Sequence, residues 1–314
     1  MKKRRIKKGP IIILTSIVLG IIVILVGIAL YKHYNSLEYK LTQIGYSEEE
    51  ILKIKKLDQK SIDYALKNKY DRYLISLTSQ KYFIWKNYEN YKRYMTKEYK
   101  GTKIDYNDVI TRVNTKTVYD AYTHTSETNM DFGFGILVNK YYSLPDKYAP
   151  DDIEQMSSAY AYSNNSIRKD VYEAFKEMSK AAKGDGHTII VNSSYRSYDE
   201  QKEIYDDYRD KNGEEYADKY AARPNFSEHQ TGLALDIFSP GYGMKTFENS
   251  EAFKWLQDNS YKYGFILRYP KDKESITGYS YEAWHYRFLG KELAKKVYES
   301  GLTFDEYYAY YLDK

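Results

Sequence analysis

Residues 227–236 read Ser-Glu-His-Gln-Thr-Gly-Leu-Ala-Leu-Asp. His229 and Asp236 lie seven residues apart, and Gly232 between them allows the chain to turn. From Leu233 onward, apolar side chains alternate with alanine, aspartate and phenylalanine, a period-two pattern that predicts a strand with one buried face. On such a strand the Asp236 carboxylate points away from the leucines, beside a small alanine that leaves room for a ligand.

Residues 282–285 read Glu-Ala-Trp-His and supply a second imidazole. Together His229, Asp236 and His285 offer two nitrogens and one oxygen with a fourth position open, which is typical of a catalytic zinc site, so we predict one Zn²⁺ per chain. Glu282 is then the spare carboxylate that takes a proton from water. Strict strand alternation would place Glu282 and His285 on opposite faces, so we expect a bulge or a strand end between them.

The two motifs, SxHxxGxAxD and ExWH, resemble those of the VanY-type D-alanyl-D-alanine carboxypeptidases. These belong to a zinc peptidase group that also includes D-Ala-D-Ala dipeptidases and Hedgehog-like domains. Other stretches share the resemblance, namely Leu137–Lys140, Ser194–Ser197 with Gln201, and Tyr263–Pro270. It covers roughly residues 107–314 and implies an enzyme that removes the terminal D-Ala from peptidoglycan stem peptides. The implied fold is α+β, with a small, mainly antiparallel sheet flanked by helices, and the mixed helix and strand patterns agree with it.

Several polar residues are candidates for binding the substrate. Arg196 lies at a predicted strand-to-helix turn and is our candidate for stabilising the oxyanion, a role that the resemblance also implies. A carboxypeptidase must recognise a terminal carboxylate, and Ser227 and Gln201 match the family's positions. Arg223 and Arg287 are weaker candidates that would serve equally as structural salt-bridge partners.

Two other functions fit the same motifs. An L,D-carboxypeptidase acting on tetrapeptide stems uses the same metal motif. A non-catalytic, zinc-stabilised cell-wall-binding domain would need the metal ligands but not Glu282. A free carboxylate beside an open coordination position therefore favours an enzyme.

Composition limits the remaining classes. A chain of 314 residues that is 42% hydrophobic has length for one large or two small domains. The absence of cysteine excludes disulfides, thiolate metal sites, a cysteine nucleophile and a lipid-modified cysteine anchor. The net charge of +4 becomes −2 without the six basic residues among the first eight, so we predict no nucleic-acid partner.

The N-terminal region predicts membrane attachment. Residues 9–31 carry no charge and are long enough to cross a bilayer as a helix. The basic residues in 1–8 predict a cytoplasmic tail, which places the rest of this single-pass protein outside the cell membrane. A cleaved signal peptide is the alternative, with Gly27–Ala29 as a small-x-small cleavage site.

Residues 32–106 differ in character from the catalytic region. Ser47 and Glu50 form a capping box that opens an amphipathic run, and a longer helical stretch is predicted from about residue 70 to 95. We therefore predict a helical membrane-proximal module at 32–106 and the zinc carboxypeptidase domain at 107–314.

Overall fold

The structure is a computed structural model that describes residues 8–99, 102–162 and 164–313, with side chains from residue 15 onward. The predicted cytoplasmic tail at 1–8 lies outside the described residues except for its last position. The chain divides into two compact units, Met1–Phe83 and Ile84–Lys314, which are taken in turn.

The first unit is helical. Its helices are α1 (Lys8–Asn35), α2 (Leu37–Ile44), α3 (Glu48–Ile54), α4 (Gln59–Lys67) and α5 (Leu74–Thr78). Within α1, the stretch Thr15–Asn35 is long and apolar enough to cross a membrane. The predicted capping box is present, because the Ser47 side chain accepts a hydrogen bond from the Glu50 amide and the Glu50 carboxylate accepts one from the Ser47 amide.

The second unit mixes helices with short strands, as predicted. Its elements are α6 (Tyr88–Glu98), α7 (Tyr106–Asn114), β1 (Ser126–Glu127), β2 (Tyr142–Ser143), β3 (Ile153–Gln155), β4 (Ser166–Arg168), α8 (Lys169–Gly184), β5 (Ile190–Ser193), α9 (Tyr198–Asn212), α10 (Glu214–Tyr220), β6 (Ala234–Phe238), α11 (Glu251–Asn259), β7 (Phe265–Tyr269), α12 (Glu274–Thr277), β8 (Glu282–Phe288), α13 (Lys291–Ser300) and α14 (Phe304–Tyr307).

The region between residues 70 and 106 departs from the prediction. The helix expected from about 70 to 95 is two helices, because α5 ends at Thr78 and α6 begins at Tyr88. α6 then packs on α7, and the Tyr91 hydroxyl donates a 2.6 Å hydrogen bond to Oδ1 of Asn114. The second compact unit begins at Ile84, and the predicted domain boundary at residue 106 falls within it.

A four-stranded sheet of order β5-β6-β8-β7 positions the site. Each neighbouring pair in it is antiparallel. Apolar residues of β6, including Leu235 and Ile237, pack in one buried core with Val171 and Phe175 of α8. In the register between β6 and β8, Asp236 lies directly opposite His285.

β8 carries the irregularity that the sequence predicts. Tyr286 pairs with Leu267 and Glu282 pairs with Tyr269, so three residues of β8 face one residue of β7. Extra residues of this kind bend a strand and turn its side chains from strict alternation. The prediction of a bulge between Glu282 and His285 is confirmed.

Candidate metal and catalytic site

A tight turn connects the first two candidate ligands. His229 lies in a 3₁₀ turn, Glu228–Thr231, and Gly232 follows it with a φ of +66°. A Cβ at Gly232 would lie 2.6 Å from Cγ of Arg168, so both the backbone conformation and the space favour glycine. The chain then enters β6, which carries Asp236.

The structure brings the three predicted ligands together. The donor atoms of His229, Asp236 and His285 all lie within 4.8 Å of one another. Oδ1 of Asp236 is 3.6 Å from Nε2 of His229 and 3.2 Å from Nδ1 of His285. Tetrahedral zinc with bonds of 2.0–2.1 Å separates its ligand atoms by about 3.4 Å, so these distances fit that ion. The same Oδ1 is buried and accepts no hydrogen bond from the described residues, which leaves its lone pairs available to a cation.

Each histidine uses one ring nitrogen within the protein and presents the other to the cluster. Nδ1 of His229 lies 2.6 Å from the carbonyl oxygen of Ser194, so Nε2 is the candidate ligand atom. Nε2 of His285 lies 3.2 Å from Oε2 of Glu228, so Nδ1 is the candidate ligand atom. Contacts of this kind fix the orientation and tautomer of metal-binding histidines.

The charges around the cluster suit a cation. Burial tends to raise the pKa of Asp236, but the neighbouring imidazoles of His229 and His285 hold that pKa well below its usual range. Burial lowers the pKa of His229. For His285 burial acts in the same direction, but the adjacent carboxylates of Asp236 and Glu228 raise its pKa to about 9.

Glu282 lies beside the ligands and is not needed to complete the set of three. Its Oε2 is 3.6 Å from Nδ1 of His285, and 28% of its side chain is exposed. Burial of the carboxylate raises the pKa of Glu282 to about 7; His285 opposes this shift and Asp236 adds to it. A carboxylate with a pKa near neutrality suits both acceptance and return of a proton.

A cavity of about 210 Å³ is lined by His229, Glu282 and His285. Its lining also includes all three candidate substrate-side residues, Arg196, Gln201 and Ser227. Nη1 of Arg196 donates a 2.8 Å hydrogen bond to Oε1 of Gln201, whose Nε2 donates to the carbonyl oxygen of Ala222 at 2.8 Å. Nε of Arg196 is buried and has no hydrogen-bond partner in the described part of the chain. Burial lowers the pKa of Arg196, and the nearby carboxylates of Asp236 and Glu282 oppose that shift.

The two weaker arginine candidates have structural partners instead. Arg223 forms ion pairs with Asp218 and Glu214, at 2.8 and 2.6 Å. Arg287 is fully buried and donates to Oε1 of Glu228 at 2.8 Å. Each guanidinium is therefore engaged in an ion pair, which is the alternative that the sequence left open for both.

Sequence reasoning missed the residue that holds His285. Glu228 is a buried carboxylate within the first motif, adjacent to His229. The one available signal was the presence of an acid in a stretch that otherwise enters the core, since acids are almost never fully buried unless they are paired.

The chain is similar to known peptidases. Residues 164–291 match the model of the VanY family, described as D-alanyl-D-alanine carboxypeptidase. YodJ of Bacillus subtilis (strain 168), which is named as a carboxypeptidase, is 47% identical over 182 residues, or 55% of this chain and 66% of its own. A D-alanyl-D-alanine carboxypeptidase of Enterococcus faecalis is 39% identical over 181 residues, or 55% of this chain and 64% of its own. The chain thus spans slightly less than two thirds of both relatives.

The alignment with one solved structure covers more of the related chain than the alignments with these two relatives do. LdcB, an LD-carboxypeptidase whose structure is described as revealing the molecular basis of peptidoglycan recognition, is 42% identical with a TM-score of 0.57. The alignment covers 60% of this chain and 91% of that one.

Proposed function

Because the chain belongs to the VanY family of D-alanyl-D-alanine carboxypeptidases, we propose that it is a zinc-dependent carboxypeptidase of peptidoglycan stem peptides that removes the terminal D-Ala. The observation that carries this proposal is the cluster of His229, Asp236 and His285 with Glu282 alongside, next to a cavity lined by Glu282 and both histidines. A structural zinc site is closed by four protein ligands, whereas this one has three and a carboxylate alongside.

The chemistry follows from the positions of the side chains. When bound, zinc supplies the Lewis acid that polarises the scissile carbonyl and activates water. Glu282 accepts the proton of the attacking water and returns it to the amine nitrogen as the C–N bond breaks. Arg196 has a buried Nε with no partner among the described residues, and we propose that it donates to the oxyanion that develops on the carbonyl oxygen.

We propose that the residues that recognise the terminal carboxylate also line this cavity. Ser227 is 3% exposed and lines the cavity, so its hydroxyl is a candidate donor to that carboxylate. The amide of Gln201 already contacts Arg196 and Ala222. We therefore propose that Gln201 contributes to substrate binding by holding the Arg196 guanidinium in place.

Similarity to LdcB favours a second candidate. That protein is an LD-carboxypeptidase, and it matches this chain at 42% identity. An L,D-carboxypeptidase would release D-Ala from a tetrapeptide stem, where the preceding residue has the L configuration. Both reactions use the same three ligands and the same base, so the choice depends on how the cavity accepts the penultimate residue.

The two activities are distinguished by their products. Purified residues 36–314 with zinc are incubated with a pentapeptide stem ending in D-Ala-D-Ala and, separately, with the tetrapeptide stem. We expect loss of one alanine from the pentapeptide, detected by mass spectrometry, because the family model describes a D-alanyl-D-alanine carboxypeptidase. Release only from the tetrapeptide would establish the L,D activity instead. A zinc-loaded protein that cleaves neither stem would contradict the proposed enzyme.

We also propose that the N-terminal helix is a retained anchor, with residues 1–8 in the cytoplasm, residues 9–31 in the membrane and the catalytic unit outside. The support is the length of the apolar stretch Thr15–Asn35: 21 residues of helix rise about 32 Å, close to the thickness of a bilayer's hydrocarbon core. On this proposal residues 32–106 join the membrane to the catalytic domain.

Membrane attachment is expected to depend on that helix alone. The full chain should sediment with membranes and its catalytic unit should be open to external protease, because a span of this length is stable in lipid. The measurement is fractionation followed by detection of a C-terminal tag. A variant that lacks residues 1–35 behind an exported leader is the control and should be soluble. Recovery of a secreted form that begins near Leu30 would show that the segment is cleaved.

A further inference from the structure

The Glu228 carboxylate has three hydrogen-bonding partners and is almost completely shielded from solvent. Its side chain is 1% exposed. Oε2 lies 3.2 Å from Nε2 of His285, while Oε1 accepts from Nε of Arg268 at 2.7 Å and from Nη1 of Arg287 at 2.8 Å. Glu228 thus contacts Nε2 of His285, whereas Nδ1 of the same ring faces Asp236, so Glu228 lies behind this candidate ligand and outside the cluster of three.

The contacts continue away from the site to the C-terminal helix α14. Nη1 of Arg268 donates to Oδ2 of Asp305 at 2.5 Å, and Nδ2 of Asn139 donates to Oδ1 of the same residue at 2.8 Å. The arginine side chains are 0% exposed and the two carboxylates 1% exposed. Two carboxylates face two guanidinium groups, so the buried charges balance, which is the condition under which such groups are tolerated.

We propose that Glu228 is a positioning residue for the metal site. It accepts a hydrogen bond from Nε2–H of His285, which fixes the tautomer and angle of that ring and leaves Nδ1 free for the cation. Asp305, acting through Arg268, holds Glu228 in this position. The C-terminal helix thereby contributes to metal affinity from outside the cavity. This inference rests on the metal site of the proposed function, and not on its substrate.

The competing explanation is that Glu228 only neutralises Arg268 and Arg287. Under that explanation a change at Glu228 lowers the melting temperature and leaves the affinity of folded protein for zinc unaltered. Under the positioning proposal, affinity falls even in protein that is fully folded. Zinc affinity and the state of the His285 ring therefore separate the two explanations.

The test compares Glu228→Gln with the unaltered protein in two measurements. Zinc affinity, from competition with a chelator, should fall by about 10- to 100-fold, the range for loss of a partner behind a metal-binding histidine. In the zinc-loaded protein, the Nε2–H proton of His285 should give a downfield NMR signal protected from exchange. In Glu228→Gln that signal should move upfield and exchange faster, because a neutral amide oxygen accepts less strongly than a carboxylate.

Asp305→Asn is the second variant, because it weakens the same network one step further from the ligand. We expect a smaller loss of zinc affinity, about two- to tenfold, with the Nε2–H signal retained. A folded Glu228→Gln that binds zinc within a factor of about two of the unaltered protein, with that signal unchanged, would overturn the inference. If Glu228→Gln does not fold, unaltered zinc affinity in Asp305→Asn overturns it. Failure of the unaltered protein to bind zinc would instead contradict the proposed metal centre itself.

Discussion

Glu282→Gln is expected to lower turnover by a factor of about 10² to 10⁴ while zinc remains bound, because general acid–base catalysis contributes on that scale. Glutamine keeps the shape and most of the hydrogen bonding of glutamate but does not accept a proton. The three candidate ligand atoms belong to His229, Asp236 and His285, so the change leaves the proposed ligand set intact.

The measurements are kcat for release of D-Ala from the stem peptide and zinc content per chain in the same preparation. Glu274→Gln is the control, since Glu274 is an exposed glutamate of α12 and its replacement should alter neither quantity. Near-normal release of D-Ala by Glu282→Gln would contradict the proposed mechanism. Loss of zinc in that variant would instead make Glu282 a metal ligand.

The sheet was predicted well where local pattern and buried surface agree. The strand expected from Leu233 onward is β6, Ala234–Phe238, and Gly232 at the turn before it adopts a φ of +66°. The stretch of Tyr, Leu and Ile from 70 to 95 misled the prediction, because an apolar pattern does not show where a helix is interrupted. In the structure the amide of Ile84 donates to the Tyr91 hydroxyl at 3.2 Å, a contact that the pattern could not reveal.

The candidate site, like the fold, could be predicted only in part. That His229, Asp236 and His285 come together could be predicted, because their chemistry is distinctive and only five histidines occur in the chain. The network behind His285 could not be predicted from the sequence, because Glu228 contacts residues that lie 40, 57 and 59 positions further along the chain. Such pairings depend on the register of β6, β7 and β8, which local periodicity does not set.

His229→Ala is expected to weaken zinc binding by a factor of about 10² to 10³, and to abolish turnover at ordinary zinc concentrations. Binding free energies of 10–16 kcal/mol for protein zinc sites correspond to roughly 3–4 kcal/mol per ligand, and about 1.4 kcal/mol is tenfold in affinity. Nε2 of His229 is the atom lost, 3.6 Å from Oδ1 of Asp236. The same loss is expected for Asp236→Ala and His285→Ala.

The measurement that checks this is competition with a chelator of known zinc affinity, on protein whose fold is verified by its melting curve. His124→Ala is the matched control, because His124 is an exposed histidine stacked on Tyr119 and its replacement should leave zinc affinity unchanged. The contrast with Glu282→Gln is informative, since a ligand variant loses metal and turnover together whereas a base variant loses turnover alone. Excess zinc should therefore restore part of the activity of His229→Ala and none of that of Glu282→Gln. Full zinc occupancy in His229→Ala would remove that histidine from the site.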